Sequence, residues 1–110
     1  YIAQAGSFAV NVLAASQEAV SDRFAHRIKT DSGYVSWPDD IDKFEDLALD
    51  RGDSGCALLQ GALAQFDCSV HAALDGGDHT IYVGKIGGIT VDPGDEGPLL
   101  FHAGQYKTLV

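Results

Sequence analysis

The stretch from Gly61 to Val91 constrains the fold of this 110-residue chain more than any other part. Ala62, Ala64, Phe66, Cys68, Val70 and Ala72 alternate with Leu63, Gln65, Asp67, Ser69 and His71, the period of a strand with one face buried. Asp75-Gly76-Gly77 then turns the chain, and His79 to Val91 runs back with Ile81, Val83, Ile89 and Val91 in phase. The pattern predicts a long antiparallel hairpin. Gly87-Gly88 in the returning arm predicts a bulge or a sharp bend, as barrel strands need.

Weaker patterns complete the outline. Ser7 to Leu13 alternates, with Phe8, Val10 and Val12 on the face expected to be buried and Asn11 opposite, which predicts a second half-buried strand. Ser16 reads as a helix N-cap with Gln17 and Glu18 in the first turn. Val20, Phe24 and Ile28 recur every four residues and extend the predicted helix to Lys29, where Ser32-Gly33 stops it. From Tyr34 to Gly55 the signal is poor: Trp37-Pro38 and an acidic run read as a solvated excursion, and Arg51 to Gly55 as a turn. Pro93-Gly94 and Gly97-Pro98 bracket a short loop before a last strand from Leu99 to His102. The sum is mainly β, one domain over residues 1–110, and suits a small antiparallel barrel with one or two short helices.

Composition narrows the classes of function. Seven basic against sixteen acidic residues leave a net charge of −9, which argues against a nucleic-acid backbone or an anionic membrane as partner. Two cysteines, Cys56 and Cys68, are too few for a disulfide framework. The N-terminus has no basic region ahead of an apolar one, so the expected location is cytoplasmic with both thiols reduced.

Gly52-Asp53-Ser54-Gly55 spells a serine-protease nucleophile motif, but only His26 precedes it and the length cannot hold two barrels, so it reads as a turn. Cys56, Cys68, His71, His79 and His102 lack metal-ligand spacing, and no metal is expected. Asp78-His79 follows two glycines at a strand start. It is either turn chemistry or a proton and hydrogen-bond donor at an opening that a ligand can approach. Ser21 and Arg23 are either solvated surface or hydroxyl and guanidinium donors to a phosphate. Asn11 either meets water or aims its amide into a pocket.

In sequence, Phe8-x-Val10-Asn11-Val12-Leu13, Ser21-Asp22-Arg23-Phe24-Ala25, Gly61-Ala62-Leu63-Ala64 with Asp67-Cys68, Gly77-Asp78-His79-Thr80-Ile81 and Pro98 to Phe101 with Gly104-x-Tyr106 resemble the flavin reductase-like family. The resemblance implies an FMN-binding split β-barrel, Greek-key-like, and an NAD(P)H-dependent reductase that passes hydride to FMN or FAD and supplies an oxygenase with reduced flavin. It also implies a homodimer with flavin near its interface. His79 is then the catalytic residue beside the nicotinamide, and Asn11, Ser21, Arg23, Phe24, Asp78, His79 and Tyr106 are the cofactor-binding residues. Three departures accompany it. The family's N-terminal strands are absent, so the chain reads as the C-terminal portion of such a domain. Ala103 and Gln105 stand where relatives often carry Arg, and the stretch from Asp39 to Gly52 is long and acidic. The alternative is a flavin- or haem-binding carrier or sensor on the same barrel, without a reaction.

Overall fold

The computed structural model describes residues 2–25, 27–36, 44–92 and 94–107. The elements in chain order are helix α1 (Ile2–Ala5), β1 (Ser7–Val12), a 3-10 turn (Ala15–Gln17), helix α2 (Glu18–Phe24), β2 (Arg27–Thr30), β3 (Gly33–Ser36), β4 (Leu49–Arg51), β5 (Ala57–Leu59), β6 (Ala64–Asp75), β7 (Thr80–Val91), β8 (Leu100–His102) and β9 (Gln105–Lys107). The predicted Trp37-Pro38 excursion, His26 and Pro93 lie outside the described residues.

The expected long hairpin is the spine of the molecule. β6 and β7 pair antiparallel along their length, and β1 adds to the other edge of β6, giving the order β1-β6-β7. The glycine pair does form a bulge: Asp67 faces Gly88 while Cys68 faces Ile86, which leaves Gly87 as the extra residue. A second irregularity was not foreseen. Val70 pairs with Gly84 and Ala72 with Val83, so His71 is inserted into β6. One inserted residue shifts the side-chain phase. Ala72 and Leu74, with their partners Val83 and Ile81, therefore face the side opposite to Phe66 and Cys68, which corrects the single face from Ala62 to Ala72 read from the alternation.

The helix is shorter than its apolar stripe suggested. It begins at Glu18 rather than after Ser16, because Gln17 Oε1 reaches back to accept the Ala14 N–H at 2.9 Å while Ser16 lies in the 3-10 turn. It ends at Phe24, and Ala25 N closes on Ser21 O at 2.9 Å. Arg27 to Thr30 is a strand, not a last helical turn. Its alternation of long polar residues with β-branched Ile28 and Thr30 suits a ladder, and pairing with Gly33–Ser36 gives the backbone partners there. Gly33, at φ 127, closes the Asp31-Ser32 turn.

Two further hairpins were missed. β4, at the end of the stretch read as excursion, pairs with β5 just beyond it, around the turn expected at Arg51–Gly55. β8 and β9 pair through Ala103 and Gly104, at φ 52 and 78, the two positive angles of a tight type I′ connection.

The side of the sheet expected to be polar is the one that is covered. Asn11, Gln65 and Asp67 share it, and Gln65 and Asp67 are only 8% and 9% exposed because the β4–β5 hairpin lies over them. On the other side Cys68 is buried as expected, but Val10, Ile86, Ile89 and Val91 are 44–64% exposed, so the face of Phe8, Val10 and Val12 is only part-covered in this chain. The backbone explains the exchange: β5 and the turn before it offer N–H and C=O groups, and a polar stripe satisfies them where an apolar one would leave them unpaired.

Candidate functional site

A cavity of about 380 Å³ opens between α2 and β5 above β1. Ala9, Asn11 and Leu13 form its floor, because alternate residues of an extended segment share one side. Val20 and Phe24, four residues apart on α2, make one wall, so two of the three residues of the apolar stripe that marked the helix in the sequence serve this cavity. Cys56, Ala57 and Leu59 make the opposite wall. Phe44 closes a corner, its ring edge-on to Phe24 at a centroid distance of 5.0 Å and 67°. The lining is apolar apart from the Asn11 amide, the Cys56 thiol and backbone atoms. The volume lies in the range of about 300–1,000 Å³ typical of small-molecule sites. A flat aromatic ring system fits such walls.

Both ends of the Asn11 amide are already engaged. Its Oδ1 accepts from Leu59 N at 2.8 Å and its Nδ2 donates to Ala57 O at 3.3 Å. Cys56 Sγ lies 3.5 Å from Ser7 Oγ, and both cysteines are free thiols.

Two residues beyond Gln65 on the same side, Asp67 holds the turn that precedes β5. Ser54 N donates to its Oδ2 at 3.1 Å and the Ser54 hydroxyl donates to its Oδ1. The Ser54 hydroxyl is the chief cause that keeps this carboxyl below the ordinary aspartate range; the Ser54 and Asp53 backbone groups add to it and burial opposes it. Gly52 is required beside it, since a Cβ there would stand 2.6 Å from Asp67 Cγ. The protease-like spelling is therefore a turn whose serine serves a structural carboxylate.

Ser21, Arg23 and Tyr106 meet around α2 without converging on one point. Residues two apart on a helix face different ways. Tyr106 Oη donates to Asp22 Oδ1 at 2.7 Å and stands 2.9 Å from Ser21 Oγ, tying β9 to α2 at a carboxylate that is 7% exposed. Arg23 Nη1 donates to Glu45 O at 2.7 Å, on the side where Phe44 meets Phe24.

Asp78 and His79 occupy the tip of the β6–β7 hairpin. Gly77, at φ 87, makes the turn, with its N–H on Asp75 Oδ1 at 2.9 Å. His79 Nδ1 lies 2.8 Å from Asp78 Oδ1 with the two side chains 63% and 99% exposed. The opening beside Gly76 is filled by the chain's own histidine: a Cβ on Gly76 would stand 2.6 Å from His79 Nε2. The tip pair Asp75–Thr80 is eight residues along β6 from the Ala9–Asp67 pair on the cavity floor, about 26 Å at the rise of a strand.

The residues singled out from the sequence thus fall into three places. Asn11 and Phe24 line the cavity, Ser21 and Tyr106 form a cluster on α2 beside Arg23, and Asp78 with His79 stands apart. Leu13, Phe44, Cys56 and Leu59 were missed as lining residues. Phe44 had a signal, a lone aromatic inside an acidic run, but Cys56 had none beyond its place after a turn. Among the described residues no group of His, Cys, Asp or Glu could hold a metal ion, and no helix is long and apolar enough to cross a membrane.

Residues 1–110 match the family model described as a flavin reductase like domain. Among curated relatives, the chain is 36% identical over 105 residues to the reductase subunit HsaB of a flavin-dependent monooxygenase from Rhodococcus jostii (strain RHA1), covering 96% of this chain and 47% of that one. Among solved structures, it superposes on nitrilotriacetate monooxygenase component B from Mycobacterium thermoresistibile with a TM-score of 0.82 at 34% identity, covering 99% of this chain and 55% of that one. It superposes on the NADH:FAD oxidoreductase of Streptomyces globisporus C-1027, in complex with NAD and FAD fragments, with a TM-score of 0.74 at 30% identity, covering 93% and 55%. The chain spans about half the length of the curated relatives it matches.

Proposed function

The chain belongs to the flavin reductase-like domain family, and from that premise we propose that it forms part of an NAD(P)H-dependent flavin reductase that passes hydride to FMN or FAD and supplies reduced flavin to an oxygenase. The observation that carries this reading is the cavity of about 380 Å³, whose walls come from Phe24 on one side and Leu59 and Ala57 on the other, with Phe44 at the corner. Bound flavin supplies the hydride-accepting chemistry, which is why no triad or carboxylate pair is needed. The residues of the chain bind and orient. Phe24 and Phe44 exclude water from one side of the ring system, and Ala57 and Leu59 of β5 close the other. Arg23, on the side of α2 where Phe44 meets Phe24, is the donor proposed for the phosphate end, while Tyr106 holds Ser21 on a different side of the helix. Asp78 orients His79 through Nδ1 and leaves the ring exposed for a nicotinamide.

His79 and the cavity are too far apart to serve one reaction within one chain, since about 26 Å of strand separates them. A second copy resolves this: a two-fold pair lets each hairpin tip reach the other's cavity, and such closed dimers are the commonest assembly. A homodimer, working in the cytoplasm with a separate oxygenase as its partner, completes the reading.

The test is NADH oxidation with added FMN by the protein as encoded. Turnover with a more than tenfold loss in His79→Ala, at little changed flavin affinity, supports the proposal. Flavin binding without NADH consumption would make the protein a carrier and refute it. A monomer in sedimentation would refute the shared site.

A further inference from the structure

Gln65 does not line the cavity, yet it holds one of its walls. It lies directly opposite Asn11 in the β1–β6 ladder and is 8% exposed. Its Nε2 donates to Leu59 O, while Asn11 Oδ1 accepts from Leu59 N at 2.8 Å and Asn11 Nδ2 donates to Ala57 O at 3.3 Å. The ladder partner of β5 is β4, in a sheet separate from β1-β6-β7. Two side-chain amides therefore do for β5 what a backbone ladder would do: three bonds, alternating donor and acceptor, fix its height above β1.

We propose that Gln65, together with Asn11, is a positioning residue that acts through the β5 backbone to set the width of the cavity between Leu59 and Phe24. This rests on reading that cavity as the flavin site. A planar ring is held by walls at a fixed spacing, and apolar contact falls off steeply when a wall moves by an ångström. The sequence carries the cost openly, since a buried glutamine faces a half-buried asparagine across the ladder where apolar residues would pack with no amide to satisfy. The Asn11 amide, spent on β5, thereby serves the ligand by holding the wall.

Cys56, immediately before β5, is a built-in reporter of that wall, and buried Cys68 is the reference within the same molecule. Gln65→Met keeps the side-chain length and removes the donor. In the flavin-free protein it is expected to raise the rate of Cys56 modification by a thiol reagent about fivefold while Cys68 stays protected, and to weaken FMN binding by a similar factor, the equivalent of one buried amide bond. Asn11→Asp, which keeps the acceptor for Leu59 N and loses the donor to Ala57 O, is expected to do the same and carries the test if Gln65→Met does not fold. Unchanged Cys56 reactivity in the folded variants, or Cys56 and Cys68 rising together, overturns the proposal. A wild type that binds FMN no better than the variants overturns it as well. A wild type that leaves FMN fluorescence unquenched overturns instead the flavin reading on which it rests.

Discussion

Replacing Ser54 by alanine tests the bond between the β5 turn and the sheet by making stability depend on pH in a defined way. The mutation removes the hydroxyl that donates to Asp67 Oδ1 and leaves the Ser54 N–H on Oδ2 at 3.1 Å. It also removes a weaker bond, in which Cys56 N donates to Ser54 Oγ at 3.3 Å. A hydrogen bond to a charged group contributes about 1.5–3 kcal/mol, and one between neutral groups about 0.5–1.5 kcal/mol. Around pH 7, where Asp67 is ionised, Ser54→Ala is thus expected to cost about 2 kcal/mol. The sign with pH follows from the direction of the shift. The folded carboxyl titrates below its ordinary value, so its contribution is fully present above the unfolded value of about 4 and is lost as the pH falls through the folded one. The gap between wild type and Ser54→Ala should narrow to under about 1 kcal/mol in acid, the remainder being the neutral bonds. Urea melts at pH 7, 5, 4 and 3 measure both quantities, with the slope in urea checked to be common. A gap that stays constant with pH would mean that Ser54 does not stabilise the Asp67 carboxylate, and the account of the turn would fail.

Two other substitutions probe the sheet and the C-terminal hairpin. Gly84→Ala should destabilise by about 1–3 kcal/mol, seen as a lower melting temperature, because the new Cβ would stand 3.0 Å from both Phe8 Cε1 and Cys68 Cβ; an unchanged melting temperature would show that Phe8 does not lie over Gly84. Tyr106→Phe removes the donor to the buried Asp22 carboxylate and should cost about 1–3 kcal/mol in a urea melt at neutral pH, with a smaller effect expected from Phe101→Leu, the exposed ring opposite Tyr106 in the same hairpin; equal effects would point to ring packing instead.

What the sequence made legible was the part governed by period and by glycine. The β6–β7 hairpin, its turn and the Gly87 bulge follow from alternation and from two adjacent residues without side chains. The His71 insertion left no such mark, because a polar residue on an outward strand reads the same whether it is paired or inserted. The helix was overrun because Arg27-Ile28-Lys29-Thr30 satisfies both periods at once, and a hairpin partner decided between them. β4 and β5 are three residues each, too short for any period to register. Asn11 was marked as a site residue, but the role of its amide could not be read, since the group it holds is backbone, and backbone is identical at every position. Gln65 and Asp67 stand on the polar side of the alternation, and what they hold is likewise backbone.

The inserted His71 has a consequence for how the long hairpin meets its surroundings. Up to Ser69, the last β6 residue paired with β1, the ribbon is part of a sheet; beyond Val70, whose N–H donates to Gly6 O at 2.9 Å, β6 and β7 pair only with each other among the described strands. The change of parity falls at that boundary. Phe66, Ile86 and Ile89 look one way from the body of the sheet, whereas Leu74, Ile81 and Val83 look the other way from the projecting end, and the last three are 41–50% exposed. In a regular ribbon Leu74 would face with Phe66 and Ile86, away from Ile81 and Val83; the insertion brings all three apolar residues of the projecting end onto one side. With parity reversed, the two surfaces are independent: whatever closes over Val10, Ile86 and Ile89 leaves the stripe beneath Asp78 and His79 open to a different contact. A single inserted residue thus gives one pair of strands two apolar surfaces that face opposite ways.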